Sequence, residues 1–216
     1  MPNHSFSPVA AIYDFLSHLV FGRKLQEAQA ANLIYVKDNS RILIIGGGSG
    51  WILQQVLQTT QNSIIIYLEV SASMLQKARK RNQKISSTNL IEYRLGTEDA
   101  IGQEEQFDLI IANFFFDLFS PDYLKGVMLK LCNALAPSGS FLITDFVLPE
   151  ESTKAKWQFE LLFKSMYLFF RLTCGISATS LPDWEKYLRQ FSLIEVKSRY
   201  FYHHLIKSTV FQKNTG

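Results

Sequence analysis

Short apolar runs alternate with stretches of helical periodicity through the first two thirds of the chain. Arg41 to Ile45, Ile64 to Glu69, Leu90 to Leu95, Phe107 to Ala112 and Ser140 to Phe146 read as strands. The Phe107 to Ala112 run is apolar on both faces, as a central parallel strand requires. Apolar residues recur at helical spacing from the glycines after Ile45 to about Thr60, behind Ser71, and from Pro121 to Leu135. Ser71 is placed to cap a helix with Met74, Leu75 and Ala78 on one face, and Pro121 suits a first helical turn. Gln61-Asn62-Ser63 and Ala136-Pro137-Ser138-Gly139 read as turns. Strands alternating with helices predict a parallel sheet covered on both faces.

The ends of the chain follow another pattern. Helical spacing occurs from Val9 to Ser17 and from about Leu25 to Val36, ahead of the first strand. Glu150 to about Thr173 and Leu181 to Phe191 read as further helices. Two strands, Leu193 to Tyr200 and Leu205 to Gln212, then follow across the short Phe201–His204 link. Consecutive strands without a crossover helix pair antiparallel. The expected architecture is α/β: a doubly wound, mainly parallel seven-stranded sheet with an antiparallel C-terminal hairpin. One domain is expected, with N-terminal helices (1–38), a core (39–149), a helical insertion (150–191) and the hairpin (192–216).

Composition narrows the class only slightly. At 216 residues, 47% of them hydrophobic, the chain suits one domain with a full core. A net charge of +3, with no basic stripe interleaved with aromatics, argues against nucleic acid. The basic run Lys77 to Lys84 reads as a solvated helix face. Cys132 and Cys174 form no metal-ligand spacing and are expected as reduced thiols. The N-terminus has no basic head followed by a signal-length apolar run, and Leu161 to Ile176 is broken by Lys164 and Arg171. A cytoplasmic protein with no membrane span is expected.

The chemistry starts at RILIIGGGSGWIL, Arg41 to Leu53. A buried strand ending in glycines and turning into a helix presents backbone N–H groups and a positive dipole end to an anion or cofactor. Glu69 ends the second strand about 20 residues past the glycines, where a carboxylate grips a ribose in a βαβ unit. Gly46 and Gly48 fit the first two glycines of a dehydrogenase fingerprint, but Trp51 stands at the third. The spacing that fits is G-x-G-x-G, through Gly50. A tight turn that uses glycine for packing alone is the competing explanation.

At these residues the chain resembles the class I S-adenosylmethionine-dependent methyltransferases, from about Phe6 to Lys213. ILIIGGGSG resembles their first motif, and YLEVSASMLQKAR their second. EYRLGTEDA is similar to the third region, FDLIIANFFFDLF to the fourth, and LCNALAPSGSFLITDF to the turn and fifth strand. The resemblance implies a Rossmann-like fold and S-adenosyl-L-methionine as cofactor. It places Gly46, Gly47 and Gly48 beneath the methionine part and Glu69 on the ribose hydroxyls. Val70 and Met74 would lie near the adenine, although Met74 fits the core equally well. Thr97 and Glu98 occupy the region of the adenine edge, and Asn113 and Phe114 that of the methionine portion. Tyr13 lies in an Ala10-x-x-Tyr13-Asp14 stretch similar to one in quinone C-methyltransferases, where a helix closes over the cofactor; a core role is the alternative.

Two positions depart from the family pattern. Ile44 stands where an acid often precedes the first glycine, and Thr97 replaces a usual aspartate, with Glu98 beside it. The implied reaction is in-line attack on the sulfonium methyl, which needs position and a dry site more than a base. Asp117, Asp145, His18, His203 and His204 are the candidate bases, and spacing selects none of them. Trp157, Phe159, Phe163, Met166, Tyr167, Phe169 and Phe170 give the insertion an aromatic face. That face either lines a cavity for an apolar or aromatic small molecule or packs on the core or a second subunit, which leaves a homodimer open. An aminopropyltransferase shares the glycine loop but relies on aspartates where this chain has Thr97 and Asn113. A cofactor-binding protein of the same fold without catalysis is the other alternative.

Overall fold

The computed structural model describes residues 23–147, 181–191 and 193–213. Seven strands among them form one sheet: β1 (Arg41–Ile45), β2 (Ile64–Glu69), β3 (Leu90–Leu95), β4 (Phe107–Asn113), β5 (Leu135–Phe146), β6 (Leu193–Phe201) and β7 (Ile206–Lys213). Their spatial order is β3-β2-β1-β4-β5-β7-β6. The first five are parallel, and β7 runs antiparallel to both β5 and β6. β1 lies between β2 and β4, so strand order reverses there. In open α/β sheets the crevice outside the strand C-termini at such a point receives the ligand.

The continuous apolar runs are explained by burial on both faces. Leu43 and Ile45 of β1 join Ile110 of β4, Phe141 of β5 and helix α4 (Pro121–Ala134) in one cluster. Helix α5 (Trp184–Arg189) adds Trp184 and Leu188 to it. Ile42 and Ile44 point the other way, with Tyr67 and Ile111, against helices α2 (Trp51–Thr59) and α3 (Ala72–Asn82). Ile44 is therefore a core residue. Helix α1 (Arg23–Ala30) packs Leu25 and Ala28 on Phe146, Leu205 and Ile206 at the far end of β5 and β7. Cys132 is a buried free thiol in α4. No helix among the described residues is long and apolar enough to cross a membrane.

Three local expectations change. The helix read over Leu25 to Val36 stops at Ala30 and gives way to a 3-10 turn, Leu33–Tyr35. Between them the Asn32 side chain donates to Ser208 Oγ of β7 at 3.0 Å, a tertiary bond that helical periodicity does not register. Ala136 to Gly139 does not separate helix from strand. It lies inside β5 as an irregularity, with Phe107 opposite Leu135 and Leu109 opposite Ser140. The last helix is trimmed to Trp184–Arg189, with Asp183 capping it through the Lys186 N–H at 3.1 Å. The helices read over Val9 to Ser17 and Glu150 to Thr173 fall outside the described residues.

Candidate cofactor site

The glycine loop runs from the end of β1 to the start of α2, and protein groups shape it from three sides. Gly46 donates its N–H to the Leu68 carbonyl at 2.9 Å, holding the loop against the end of β2. Glu69 Oε2 accepts the Gly48 N–H at 2.9 Å, and Oε1 accepts the Ser71 N–H at the same distance. One carboxylate, only 7% exposed, thus ties the loop to the start of α3. Ser71 Oγ in turn accepts the Met74 N–H at 3.4 Å as the cap of that helix. The Tyr67 hydroxyl donates to the Gly48 carbonyl at 2.9 Å, so both ends of this residue are held.

The glycines differ in what a side chain would meet. A Cβ on Gly47 would lie 2.5 Å from the Tyr67 ring, and one on Gly46 2.7 Å from Phe115 Cδ2. At Gly50 it would lie 2.7 Å from the Ala78 Cα of α3. These three are glycine because protein already fills the space, which is the packing explanation. Gly48 is the exception: a Cβ there would meet nothing within 4 Å, while its φ of +62° sits in the left-handed region. The open side of the loop is at Gly48.

The adenine-side candidates are less available. Val70 is half-exposed at 48%, whereas Met74 is buried. Thr97 uses its hydroxyl to accept the Asp99 N–H at 3.3 Å, capping the 3-10 turn Glu98–Ala100. Glu98 is buried and accepts a 2.7 Å hydrogen bond from the Tyr123 hydroxyl of α4. That bond, with burial, pushes the Tyr123 phenol up to about 12. Tyr123 carries no sequence signal, since one tyrosine after a helix-opening proline is ordinary.

At the end of β4, Asn113 stands opposite Thr144 of β5. Its Nδ2 is buried with no hydrogen-bond partner. Phe114 has φ +50° and donates its N–H to the Thr144 carbonyl at 2.7 Å; its ring lies 5.0 Å from Phe146. Phe115, Phe119 and Tyr123 then form an aromatic row, with centroids 4.9 and 5.3 Å apart. Of the candidate bases, Asp117 and Asp145 are buried behind this segment. His203 and His204 sit in the exposed β6–β7 turn, where Tyr202, His203 and His204 all have positive φ. Tyr13 and His18 lie outside the described residues.

A parallel sheet with its strand-order reversal at β1, a glycine loop held by a strand-end carboxylate and an antiparallel closing hairpin define a Rossmann-like fold with a ligand crevice at the strand ends. A model of the methyltransferase domain family matches residues 43–141. The chain is 25% identical over 196 residues to a malonyl-[acyl-carrier protein] O-methyltransferase of Halalkalibacterium halodurans, covering 85% of this chain and 68% of that one. It is 30% identical over 128 residues to the protein of the same name from Priestia megaterium, covering 56% of this chain and 44% of that one. The crystal structure of the N-methyltransferase NodS from Bradyrhizobium japonicum, in complex with S-adenosyl-L-homocysteine, shares the fold. Its TM-score is 0.65 at 15% identity, over 90% of this chain and 88% of that one. Over residues 43–141 the chain is thus similar to the methyltransferase domain family, and it shares its fold with a solved methyltransferase.

The residues present fit S-adenosylmethionine, the cofactor that the resemblance implies. Gly48 leaves open space where the loop needs to meet a ligand. The Glu69 carboxylate stands at the adjoining strand end. Asn113 keeps a buried donor without a protein partner at the end of the neighbouring strand.

Proposed function

We propose that this protein transfers a methyl group from S-adenosylmethionine to a carboxylate oxygen of an acyl group, forming a methyl ester. The reading rests on the likeness to malonyl-carrier O-methyltransferases over 85% of the chain. A carboxylate suits the site chemically, because it is already ionised at neutral pH and needs no base. Asp117 and Asp145 are buried, and His203 and His204 occupy an exposed turn, so no described candidate has to be enlisted as one. Beside the end of β5, a cleft lined by Phe146, Val147, Leu181 and Trp184 has Asp183, Glu185, Lys186 and Arg189 in its walls, with Arg189 paired to Glu185 at 3.3 Å. Its apolar lining suits an acyl chain.

In this reading Gly46, Gly47 and Gly48 support the methionine part of the cofactor, and Glu69 accepts hydrogen bonds from the ribose hydroxyls. Val70 borders the adenine, with Met74 beneath it. Thr97 and Glu98 stand at the adenine edge, where Tyr123 orients Glu98. The Asn113 amide donates toward the methionine portion, and Phe114 and Phe115 keep water from the reacting carbon. The bound cofactor supplies an electrophilic methyl on a sulfonium. The protein supplies alignment, worth several kcal/mol of barrier when a bimolecular step is made effectively unimolecular (about 7–11 in favourable cases).

The test uses labelled S-adenosylmethionine with a malonyl thioester on an acyl carrier, read by mass spectrometry. A methyl ester on the malonyl carboxylate is the expected product. Labelling of an aromatic hydroxyl or ring carbon instead would favour the second reading, an apolar or aromatic small-molecule acceptor. The observation on that side is the aromatic row Phe115, Phe119 and Tyr123 behind β4.

A further inference from the structure

Asp117 and Asp145 are 4% and 0% exposed, and the cofactor contacts proposed above use neither. Asp145, near the end of β5, reaches across to the segment that follows β4. Its Oδ2 accepts the N–H of Phe116 at 2.9 Å and of Phe115 at 3.3 Å, while Oδ1 accepts the Phe146 N–H at 2.8 Å. The Asp117 N–H also bonds this carboxylate. Three of these donors open the 3-10 turn Phe116–Leu118, where no carbonyl of the turn can satisfy them. A carboxylate from a different strand therefore caps the turn.

The consequence reaches the glycine loop. Phe115, held through its N–H, lies so close to Gly46 that a Cβ there would stand 2.7 Å from the ring. The position of Phe115 thus forms one wall of the loop, and Asp145 sets it. Asp117 Oδ1 is buried without a hydrogen-bond partner, next to a second carboxylate. Two such groups cannot both ionise, since burial and like charge each favour the neutral form. Burial pushes Asp145 up to about 7 while the backbone N–H groups pull it back. Burial and the Asp145 charge raise Asp117 well above the usual carboxylate range. Across the sheet, Lys207 of β7 is the register partner of Asp145, but its ammonium is bonded to Glu185 of α5 at 2.5 Å and Glu195 of β6 at 2.8 Å. From the α4 side, Leu124 and Met128 contribute only apolar groups to the cluster around Phe116.

We propose that Asp145 is a positioning residue for the cofactor loop. Its carboxylate pins the segment after β4 and, through Phe115, keeps the glycine loop in its cofactor-binding shape, with a protonated Asp117 beside it. Neither acts as a base. The inference rests on the cofactor reading above, and binding rather than turnover is its test.

The probe is S-adenosylhomocysteine, titrated by calorimetry into the full chain between about pH 6 and pH 8. Wild type binds several-fold more weakly at the acid end, where Asp145 takes up a proton. Asp117→Asn imitates the protonated partner, so it keeps both the affinity and the slope. Asp145→Asn turns an amide N–H toward backbone donors, weakens binding about tenfold or more and removes the slope. Equal binding by a folded Asp145→Asn variant, or a slope that persists in it, overturns the proposal while leaving the cofactor reading intact. If Asp145→Asn does not fold, the wild-type slope decides: an affinity that stays flat from about pH 6 to pH 8 overturns the proposal. A wild type that binds no S-adenosylhomocysteine at any pH removes both readings.

Discussion

The Tyr67 hydroxyl donates a 2.9 Å hydrogen bond to the carbonyl of Gly48, the one loop glycine that faces open space. A core residue of β2 thereby fixes the backbone of the loop at its open side. Burial, reinforced by the neighbouring Glu69 charge, raises this phenol far above its ordinary value, so it remains a donor at any working pH. Tyr67→Phe keeps the ring beneath Gly47 and removes only that donor. We expect a loss of about 1 kcal/mol of stability, by denaturant unfolding, and a several-fold weaker affinity for S-adenosylhomocysteine by calorimetry.

Glu69 accepts one N–H on each oxygen, from Gly48 and from Ser71. Glu69→Gln leaves one acceptor but places an amide N–H toward the other donor. The loss of a charge-assisted acceptor corresponds to about 1.5–3 kcal/mol, or roughly 10- to 100-fold in affinity. Calorimetry is the check, with circular dichroism to establish that the variant is folded. Unchanged affinity would remove Glu69 from the cofactor site.

Gly47 and Gly48 separate packing from binding. Gly47→Ala drives a Cβ into the Tyr67 ring, at 2.5 Å, and costs about 1–3 kcal/mol of stability. Gly48→Ala has room and carries only the left-handed backbone penalty of about 1–2 kcal/mol. Its methyl group enters the open side of the loop, where the proposed cofactor would lie. The expected result is that Gly48→Ala shows the larger loss of affinity relative to its loss of stability, with thermal melts and titrations read side by side.

Glu105 joins β1 and β3 through Arg41 at 2.7 Å and Arg94 at 2.7 Å, and accepts the Gly102 N–H at 2.8 Å. These partners, chiefly Arg94, hold its carboxyl down at about 2 against the opposing effect of burial. A depressed folded value means the stabilisation is complete above the ordinary value near 4.5 and is lost as pH falls through about 2. Glu105→Gln should therefore lower stability at neutral pH by about 2 kcal/mol and lie close to wild type in strong acid. Urea midpoints measured across that range give the comparison.

Much of this architecture was legible in the apolar runs. β1, β2 and β4 were readable because strands buried on both faces carry few polar residues, and the final hairpin because no helix separates its strands. The Ser71 cap was readable because its acceptor acts within one turn of its own chain. The break at Asn32 and the irregularity at Ala136–Gly139 were not, because each depends on a partner far away in sequence: Ser208 for one, the β4 register for the other.

For the site, sequence alone determined the glycine loop, the strand-end carboxylate Glu69 and the order of the motifs, since these are local chemistry at strand ends. Only the tertiary structure decided which glycine faces open space and that Glu98 is held by Tyr123. It also decided that Asp145 of β5 caps the turn behind β4. Each of those depends on groups brought together by sheet order, and a periodic pattern along one segment carries no information about what lies across from it.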